Sequence, residues 1–236
     1  MPRRLRIDLG GIVYHVINRR VGGGVLFEKE GDYLAFEKVL EEACGRWPGV
    51  RMLAYCLMPT HWHLVVWPRR EGELSRFMQW VTVTHMRRWH AHRGSAGTGP
   101  VYQGRFKSFP IEEDEHLLVV CRYVERNALR AGKVKRAEEW KWGSLYERGK
   151  KEWLVGLKDW PTVVRGDWAG WVNRAQTAEE EEALRKSVNR GTPFGEVEWQ
   201  RRMAKRLKLE SSLRDPWRPK KSRRKMERVR KSEGKK

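Results

Sequence analysis

The sequence contains few cysteines, comparatively few acidic residues and no long apolar run. Its three cysteines, Cys44, Cys56 and Cys121, are odd in number and show no Cys-x-x-Cys spacing. This pattern argues against a disulfide framework or a zinc knuckle and favours buried thiols in a reducing compartment. No apolar stretch approaches the length that spans a membrane, and the charged N-terminal residues include no apolar signal-peptide core. We therefore expect a cytosolic protein with no membrane partner.

Basic residues, in contrast, are abundant and unevenly distributed. The 50 Lys and Arg exceed the 30 Asp and Glu, which gives a net charge of +20. Residues 201–236 alone carry 17 basic and four acidic side chains, a net charge of +13. Such a concentration favours a polyanionic partner, most commonly nucleic acid, over a merely solubilising tail. A membrane surface is disfavoured because residues 218–236 provide almost no apolar face.

Hydrophobic patterns predict the secondary structure of the first half of the chain. Strands are predicted at 12–17, 50–58, 61–67 and 105–111, and helices at 29–46, 74–89 and 116–131. The order β-α-β-β-α-β-α is the ferredoxin-like (split βαβ) pattern, a mixed α/β (α+β) fold with a four-stranded antiparallel sheet. Two helices are expected to cover one face of this sheet. The other face is expected to be open, as in many folds of this outline that bind single-stranded nucleic acid.

After the third helix the hydrophobic pattern weakens. A charged helix is predicted over 179–190 and another helix over 199–209. Trp140 and Trp142 are better interpreted as packing anchors than as base-stacking groups, because paired tryptophans are mostly buried bulk. The chain beyond residue 215 is expected to be disordered in the absence of a ligand.

Two histidines alternate in the third predicted strand. Alternate side chains of a strand share one face, so His61 and His63 are expected on one side and Trp62 on the other. Two imidazoles on a rigid strand form half of a divalent-metal site. A pair of ordinary strand histidines is an equally simple interpretation, so the motif needs support from other segments.

The third predicted helix carries a polar face. Tyr123 and Asn127 lie four residues apart, and His116 lies seven residues before Tyr123, so all three fall near one face beside the apolar stripe. On its own, Tyr123 would be interpreted as a tyrosine at the edge of the core. Arginines that recur at spacing four predict either a solvated face or a basic stripe that contacts phosphates; they are Arg122, Arg126 and Arg130.

Five segments, in a fixed order, resemble those of a known family. They are Gly11-Ile12-Val13-Tyr14-His15-Val16, Met58-Pro59-Thr60-His61-Trp62-His63-Leu64, Gln103-Gly104-Arg105-Phe106-Lys107-Ser108, residues 122–132, and Trp140-Lys141-Trp142-Gly143-Ser144. They are similar to segments of the REP-associated tyrosine transposases, which are relatives of the single-tyrosine HUH transposases of small insertion sequences. The resemblance covers residues 1–148 and, more loosely, residues 191–221.

The resemblance implies a reaction on single-stranded DNA. Tyr123 is expected to attack a phosphodiester, forming a 5′-phosphotyrosine link and releasing a 3′-OH that can reverse the step and join strands. No nucleotide cofactor is needed, because the bond energy is kept in the ester. The resemblance also implies hairpin-forming repeats as the DNA partner, a monomer or homodimer, and a nucleoid-associated location in the cytoplasm. Whether Tyr123 acts in its own subunit or in a partner stays open.

The resemblance further implies Mg²⁺ or Mn²⁺ bound by His61 and His63. Insertion-sequence relatives place a glutamine four residues after the tyrosine, and Asn127 occupies that position here. Asn127 is therefore the expected third ligand, and His116 is the alternative. The residues Asn127-Ala128-Leu129 stand where the family commonly has Asn-Pro-Val, so the end of the helix is expected to differ slightly.

Three regions are expected: a catalytic domain at 1–148, a mostly helical extension at 149–214 and a basic tail at 215–236. The expected DNA contacts are Arg105, Lys107, Arg122, Arg126, Arg130, Arg218, Lys220 and Lys221. Two other functions are considered. A catalytically retired nucleic-acid-binding module is disfavoured because Tyr123 and both histidines are present, and a metal-dependent nuclease that uses water would not need Tyr123.

Overall fold

A computed structural model of the chain describes residues 8–150, 157–158, 160–162 and 166–214. The strands are β1 (Val13–Arg19), β2 (Val50–Met58), β3 (His61–Pro68) and β4 (Lys107–Ile111). The helices are α1 (Glu30–Arg46), α2 (Glu73–Arg93), α3 (Glu115–Glu125), α4 (Asn127–Arg130), α5 (Ser144–Arg148), α6 (Trp168–Asn173), α7 (Ala178–Arg190), α8 (Val197–Arg206) and α9 (Glu210–Leu213). The predicted order of strands and helices in the first half of the chain is confirmed.

The four strands form one antiparallel sheet in the order β2-β3-β1-β4. This is the expected ferredoxin-like arrangement, with β3 in the interior between β1 and β2. In this register His63 lies opposite Ile17 of β1 and Cys56 of β2, and His61 lies opposite Arg19. The two histidines are therefore held by hydrogen-bonded strands on both sides.

One face of the sheet is covered by α1 and α2, as predicted. The β3 side chains that face these helices are Trp62, Leu64 and Val66. They pack in one core with Phe36 of α1 and Phe77 of α2, and all are fully buried. Full burial of a large apolar side chain stabilises a fold by about 1.5–3 kcal/mol, so this layer fixes β3 firmly.

The opposite face of the sheet is not open, and that prediction is wrong. Helix α3 packs across β2 and β3, where Cys121 and Val124 form a second core with Cys56 and Val65. The cause is the apolar stripe of α3, because packing against this face of the sheet buries the stripe away from solvent. The histidines of β3 therefore lie between the sheet and a helix rather than on an open surface.

The predicted third helix is divided in two. Helix α3 ends at Glu125 and α4 begins at Asn127, with Arg126 at φ −78° and ψ −7° between them. The backbone N–H of Arg126 donates to the carbonyl of Arg122, so helical hydrogen bonding continues across the division. Gly132 follows the segment, as predicted, with a φ of +65°, in the left-handed region that glycine adopts without strain.

The outer edge of β2 is covered by the segment that carries Trp140 and Trp142. The N–H of Leu57 donates to the carbonyl of Trp142, and the Trp140 indole donates to the carbonyl of Leu57. The Ser144 hydroxyl accepts from the N–H of Tyr55 and donates to its carbonyl. The interpretation of the two tryptophans as packing anchors is confirmed.

The outer edge of β4 is covered by a later segment of the chain. Phe194 donates its N–H to Pro110 and accepts from the N–H of Glu112, each at 2.9 Å. This segment joins α7, which has almost the predicted bounds, to α8, which begins and ends slightly earlier than predicted. Across the described ranges, we find no helix with the length and apolarity to cross a bilayer.

Candidate active site

In both histidines of β3, Nδ1 forms a hydrogen bond with another side chain of the protein. Nδ1 of His61 lies 3.0 Å from Oγ1 of Thr60, and Nδ1 of His63 lies 2.8 Å from Nε2 of His15. The rings of His61 and His63 are neighbours, with centroids 5.0 Å apart, which confirms that they share one face of the strand. Because a ring nitrogen already in a hydrogen bond does not ligate a metal, Nε2 of each ring is the candidate ligand atom.

Burial keeps these imidazoles neutral. Loss of solvent, together with the positive charges of Arg19 and Arg130, lowers the pKa of His61 to about 4. Burial also holds the pKa of His63 well below its ordinary value, and the neighbouring histidines and the same two arginines act in the same direction. Both rings are therefore unprotonated at neutral pH, which is the form that binds a divalent metal.

Helix α3 places Tyr123 against this pair of histidines. Its ring centroid lies 5.8 Å from that of His63, with the two rings nearly perpendicular at 85°. The tyrosine side chain is buried, whereas its hydroxyl oxygen lies 3.4 Å from Nη2 of Arg130, an exposed residue. The tyrosine hydroxyl is thus at the mouth of the site.

Arg130 connects this tyrosine to Asn127. The same Nη2 lies 3.4 Å from Oδ1 of Asn127, so one guanidinium nitrogen is close to both oxygens. Asn127 is buried, and within the described part of the chain its Nδ2 has no hydrogen-bond partner. An unpaired buried polar group costs about 1–3 kcal/mol, and the amide NH2 of Asn127 is left to donate to a hydrogen-bond acceptor. Tyr123 therefore packs against the histidine pair, and Arg130 joins its hydroxyl to Asn127.

Sequence comparison identifies the family to which this site belongs. Residues 9–127 match the model of a family described as transposase, IS200-like. The match spans half of the chain and includes both histidines, Tyr123 and Asn127. This chain belongs to the IS200-like transposase family.

The fold of this transposase is similar to that of a REP-associated tyrosine transposase solved with a REP hairpin. The two share 16% sequence identity, with a TM-score of 0.52 over 71% of this chain and 98% of that chain. A candidate transposase from Deinococcus radiodurans has 15% identity over 53% of this chain and 95% of that chain, with a TM-score of 0.36. No curated protein matches the sequence. The predicted membership in the single-tyrosine transposases is confirmed by the family match, and the fold is similar to that of a REP-associated tyrosine transposase.

His116 is not a ligand of this site, and that alternative is wrong. It lies seven residues before Tyr123, which is about 10 Å along a helix axis. His116 also follows Ile111, the last residue of β4, which pairs with Val13 at the start of β1. His61, in contrast, pairs with Arg19 at the end of β1. Six residues of strand separate these positions, which is about 20 Å.

The transposase instead holds His116 in a separate group with Glu112 and Asp114. Among the residues that the structure describes, these three side chains form a cluster that could hold a metal ion, since their possible ligand atoms lie within 4.8 Å of one another. Asp114 accepts hydrogen bonds from the backbone and ring of His116 and so caps the start of α3. Glu112 accepts from the N–H of Glu196 at 2.7 Å. Both carboxylates therefore have structural partners.

The predicted exposed stripe of arginines on the helix that carries Tyr123 is wrong for Arg122, which is buried. Its buried guanidinium donates to two backbone carbonyls between α6 and α7, at 2.8 and 3.0 Å, and lies over the ring of Trp171. Arg126 is partly buried and donates to two carbonyls at the end of α6. Arg130 is the member of the three that is exposed. The extension therefore braces the helix that carries the tyrosine.

A groove lies beside the histidine pair at the junction of β1 and β4. Its lining includes Arg19, Arg105 and Lys107, all of which are exposed. Ile17 lies opposite His63 on one side and Lys107 on the other, so the groove borders the site. The predicted DNA contacts in the tail, Arg218, Lys220 and Lys221, lie outside the described residues.

Sequence reasoning missed the roles of Arg19 and His15. Arg19 ends β1 opposite His61 and adds positive charge to the site. His15 is fully buried, and burial lowers its pKa to about 3, so its ring is neutral. The available signal was its place between Val13 and Ile17, because a histidine there interrupts an apolar face.

Proposed function

We propose that this transposase cuts and rejoins single-stranded DNA through a covalent 5′-phosphotyrosine intermediate on Tyr123. One observation carries the proposal: Tyr123 packs against a pair of neutral imidazoles, and an exposed guanidinium joins its hydroxyl to a buried amide. A site that only bound DNA would not require neutral metal ligands beside a tyrosine. A site that hydrolysed DNA with water would not require the tyrosine.

The chemistry of the two steps is balanced. In cutting, the phenolic oxygen of Tyr123 bonds to phosphorus, the phosphorus–O3′ bond breaks, and the phenolic proton passes to solvent. The leaving strand takes up a proton as a free 3′-OH. In joining, a 3′-OH attacks the phosphotyrosine and the tyrosine oxygen leaves. A phenolate is a better leaving group than an alkoxide, which favours reversal without a nucleotide cofactor.

The donor set fits Mg²⁺ or Mn²⁺. We assign three protein ligand atoms: Nε2 of His61, Nε2 of His63 and Oδ1 of Asn127. Both imidazoles are neutral, and Nδ1 of each is already in a hydrogen bond, which leaves Nε2 for the metal. Nitrogen and amide-oxygen ligands suit these ions, and three protein ligands leave positions for phosphate oxygens and water. When bound, the ion supplies Lewis-acid stabilisation of the scissile phosphate and orients it for in-line attack.

Arg130 has a proposed role at the tyrosine oxygen. Its Nη2 donates to that oxygen and to Asn127, so a fixed positive charge is present where negative charge develops as the phenolate leaves. Charge-assisted hydrogen bonds of this kind stabilise anions more strongly than neutral ones.

We further propose that the DNA strand enters along the groove lined by Arg19, Arg105 and Lys107. Phosphates are drawn to such basic surfaces whatever their sequence, so this contact positions the strand rather than reading it. The solved relative was bound to a REP hairpin, which supports a hairpin-forming repeat as substrate. We expect the transposase to act as a monomer or homodimer, with its basic tail adding phosphate contacts.

A denaturing gel tests the proposal. The full-length protein is incubated with 3′-labelled single strands from the DNA flanking its gene, chosen to cover every hairpin-forming sequence in it. Reactions contain Mn²⁺, Mg²⁺ or EDTA, and Tyr123→Phe is the matched variant. We expect a labelled band at the size of the protein that requires the metal and is absent in Tyr123→Phe.

The other outcomes identify the competing functions. Metal-dependent cleavage that persists in Tyr123→Phe without a covalent band would identify a nuclease that uses water. Tight binding of the strands without any cleavage would identify a catalytically retired binding module.

A further inference from the structure

We propose that His15 is a positioning residue that accepts the Nδ1 proton of His63 and thereby presents Nε2 of His63 to the metal. This inference rests on the proposed metal site. It adds a histidine from another strand whose ring does not itself ligate the ion.

The geometry places His15 as a direct partner of His63. Nε2 of His15 lies 2.8 Å from Nδ1 of His63, a full hydrogen bond between two buried rings. In the β1–β3 register, His15 pairs with Val65 and Ile17 pairs with His63, so the two histidines are diagonal neighbours on one face. Residues 48 apart in sequence are therefore joined by the pairing of two interior strands.

The surroundings of His15 hold its ring in place. The ring packs against Phe109 at 4.8 Å between centroids and meets the edge of Tyr123 at 6.3 Å. In the described ranges, Nδ1 of His15 has no hydrogen-bond partner, so the bond to His63 is the polar contact that orients this ring. The nucleophile, the metal ligand and His15 thus pack as one unit.

A neutral imidazole carries one proton, so the bond between the rings can be made in two ways. If Nδ1–H of His63 donates to His15, the lone pair of Nε2 on His63 is available to a metal. If Nε2–H of His15 donates to His63, the proton of His63 must sit on Nε2, and that atom cannot ligate. Metal binding at His63 therefore requires His15 to act as the acceptor, the role that carboxylates or carbonyls commonly play for metal-bound histidines.

Metal affinity of the full-length protein tests this inference. Free Mn²⁺ is followed by its paramagnetic resonance signal during titration of the wild type, His15→Phe and His15→Gln. Phe fills the site without an acceptor, and we expect about a 10- to 100-fold loss of affinity, the usual effect of losing a partner of a metal-bound histidine. The side-chain oxygen of Gln can replace Nε2 as acceptor, so His15→Gln is expected to bind Mn²⁺ nearly as well as the wild type.

His85 provides the matched control. It is another buried histidine bonded to a buried partner, with Nδ1 2.6 Å from the hydroxyl of Tyr102, but it belongs to α2 and packs against Phe36 of α1. His85→Phe should lower the stability of the fold without changing Mn²⁺ affinity. Mn²⁺ affinity of His15→Phe equal to that of the wild type would overturn the inference, as would a loss that His15→Gln does not restore.

His61→Ala separates this inference from the proposed function. Its Mn²⁺ affinity should be at least about 100-fold weaker, because it lacks a direct ligand. If His61→Ala binds like the wild type, the metal site itself is wrong, and the role of His15 fails with it. If His61→Ala is weakened but His15→Phe is not, the metal site stands and only the role of His15 fails.

A second measurement determines the position of the proton directly. In Mg²⁺-saturated protein with ¹⁵N-labelled histidine rings, the nitrogen shifts of His63 distinguish the two tautomers. We expect a protonated Nδ1 on His63. A protonated Nε2 would overturn the inference whatever the affinities.

Discussion

The guanidinium of Arg130 lies across the face of Tyr123, with its carbon 4.8 Å from the ring centroid and Nη2 3.4 Å from the hydroxyl oxygen. The two residues are seven apart and lie on two helices separated by Arg126. The exposed positive charge is therefore held at the oxygen proposed to exchange phosphate. This pairing gives the first prediction.

Replacement of Arg130 by Ala should slow formation of the phosphotyrosine adduct by about 100-fold, the usual effect of losing one donor to a developing charge. Because Arg130 is exposed, the unfolding midpoint should change little. Single-turnover cleavage rates with Mn²⁺ measure the effect, and Arg185→Ala, which removes an exposed arginine from α7, is the control. A loss of DNA affinity with an unchanged cleavage rate would instead make Arg130 a binding residue only.

Replacement of Arg122 by Ala should lower the free energy of unfolding by about 3 kcal/mol, because the buried guanidinium loses two hydrogen bonds to backbone carbonyls and its ion pair with Glu180. Arg122→Lys should not restore the stability, since an ammonium lacks the planar fork that reaches several oxygens. Urea unfolding measures both. The salt dependence of DNA binding should match the wild type; a flatter dependence with full stability would show that Arg122 contacts phosphate.

Asn127→Leu keeps the size of the side chain but removes the proposed third ligand atom. We expect Mn²⁺ affinity to fall by at least about tenfold, whereas Asn127→Asp, which retains an oxygen, should bind at least as tightly as the wild type. Calorimetric titration with Mn²⁺ compares the three proteins. Equal affinities for Leu and Asn at this position would remove Asn127 from the ligand set.

The stability of the protein should decrease in mild acid because of its buried histidines. Burial, aided by Arg93, lowers the pKa of His85 to about 3, whereas an unfolded histidine titrates near 6.5. Between these values the unfolded chain binds more protons, so the free energy of unfolding falls as pH falls. From pH 6.5 to 5 we expect a loss of about 2 kcal/mol from this residue. Urea unfolding of His85→Phe should show a correspondingly smaller loss; an equal loss would contradict the lowered pKa.

Removal of residues 215–236 takes away 11 Lys and Arg and three acidic residues. We expect weaker DNA binding and a flatter plot of log affinity against log salt, by about 0.7 for each lost phosphate contact on a single strand. A tail of equal length with Gln at every basic position is the control for chain length. If the truncated protein binds as tightly as the wild type at every salt concentration, the tail makes no DNA contact.

Local patterns in the sequence predicted most of the strands and helices, because their formation depends on residues close together in the chain. The apolar runs of β2 and β3 placed both strands almost to the residue, and strand periodicity placed His61 and His63 on one face. The resemblance to the family predicted that Tyr123 lies at the same site as the histidines. Spacing alone could not predict this, because 60 residues separate Tyr123 from His63.

Features that depend on contacts between distant segments were not predicted. His15 and His63 meet because of the β1–β3 register, and the carbonyls that hold Arg122 lie about 50 residues later with no signature of their own. The second face of the sheet was expected to be open, because the sequence shows that α3 has an apolar stripe but not which surface that stripe covers. A spacing of seven residues places His116 and Tyr123 on the same face of a helix. It also separates them by two helical turns, about 10 Å, which is too far for both to reach one metal ion.

The hydrogen bonds that close the outer edges of β2 and β4 also limit how copies of the chain can associate. Trp142, Ser144 and Phe194 occupy backbone groups that an incoming strand would otherwise use. A neighbouring molecule could extend the sheet at these positions only by first displacing segments of this chain, which guards against fibrous aggregation through exposed strands. At these positions the addition of a strand from a second copy is therefore disfavoured, and the sheet stays four strands wide.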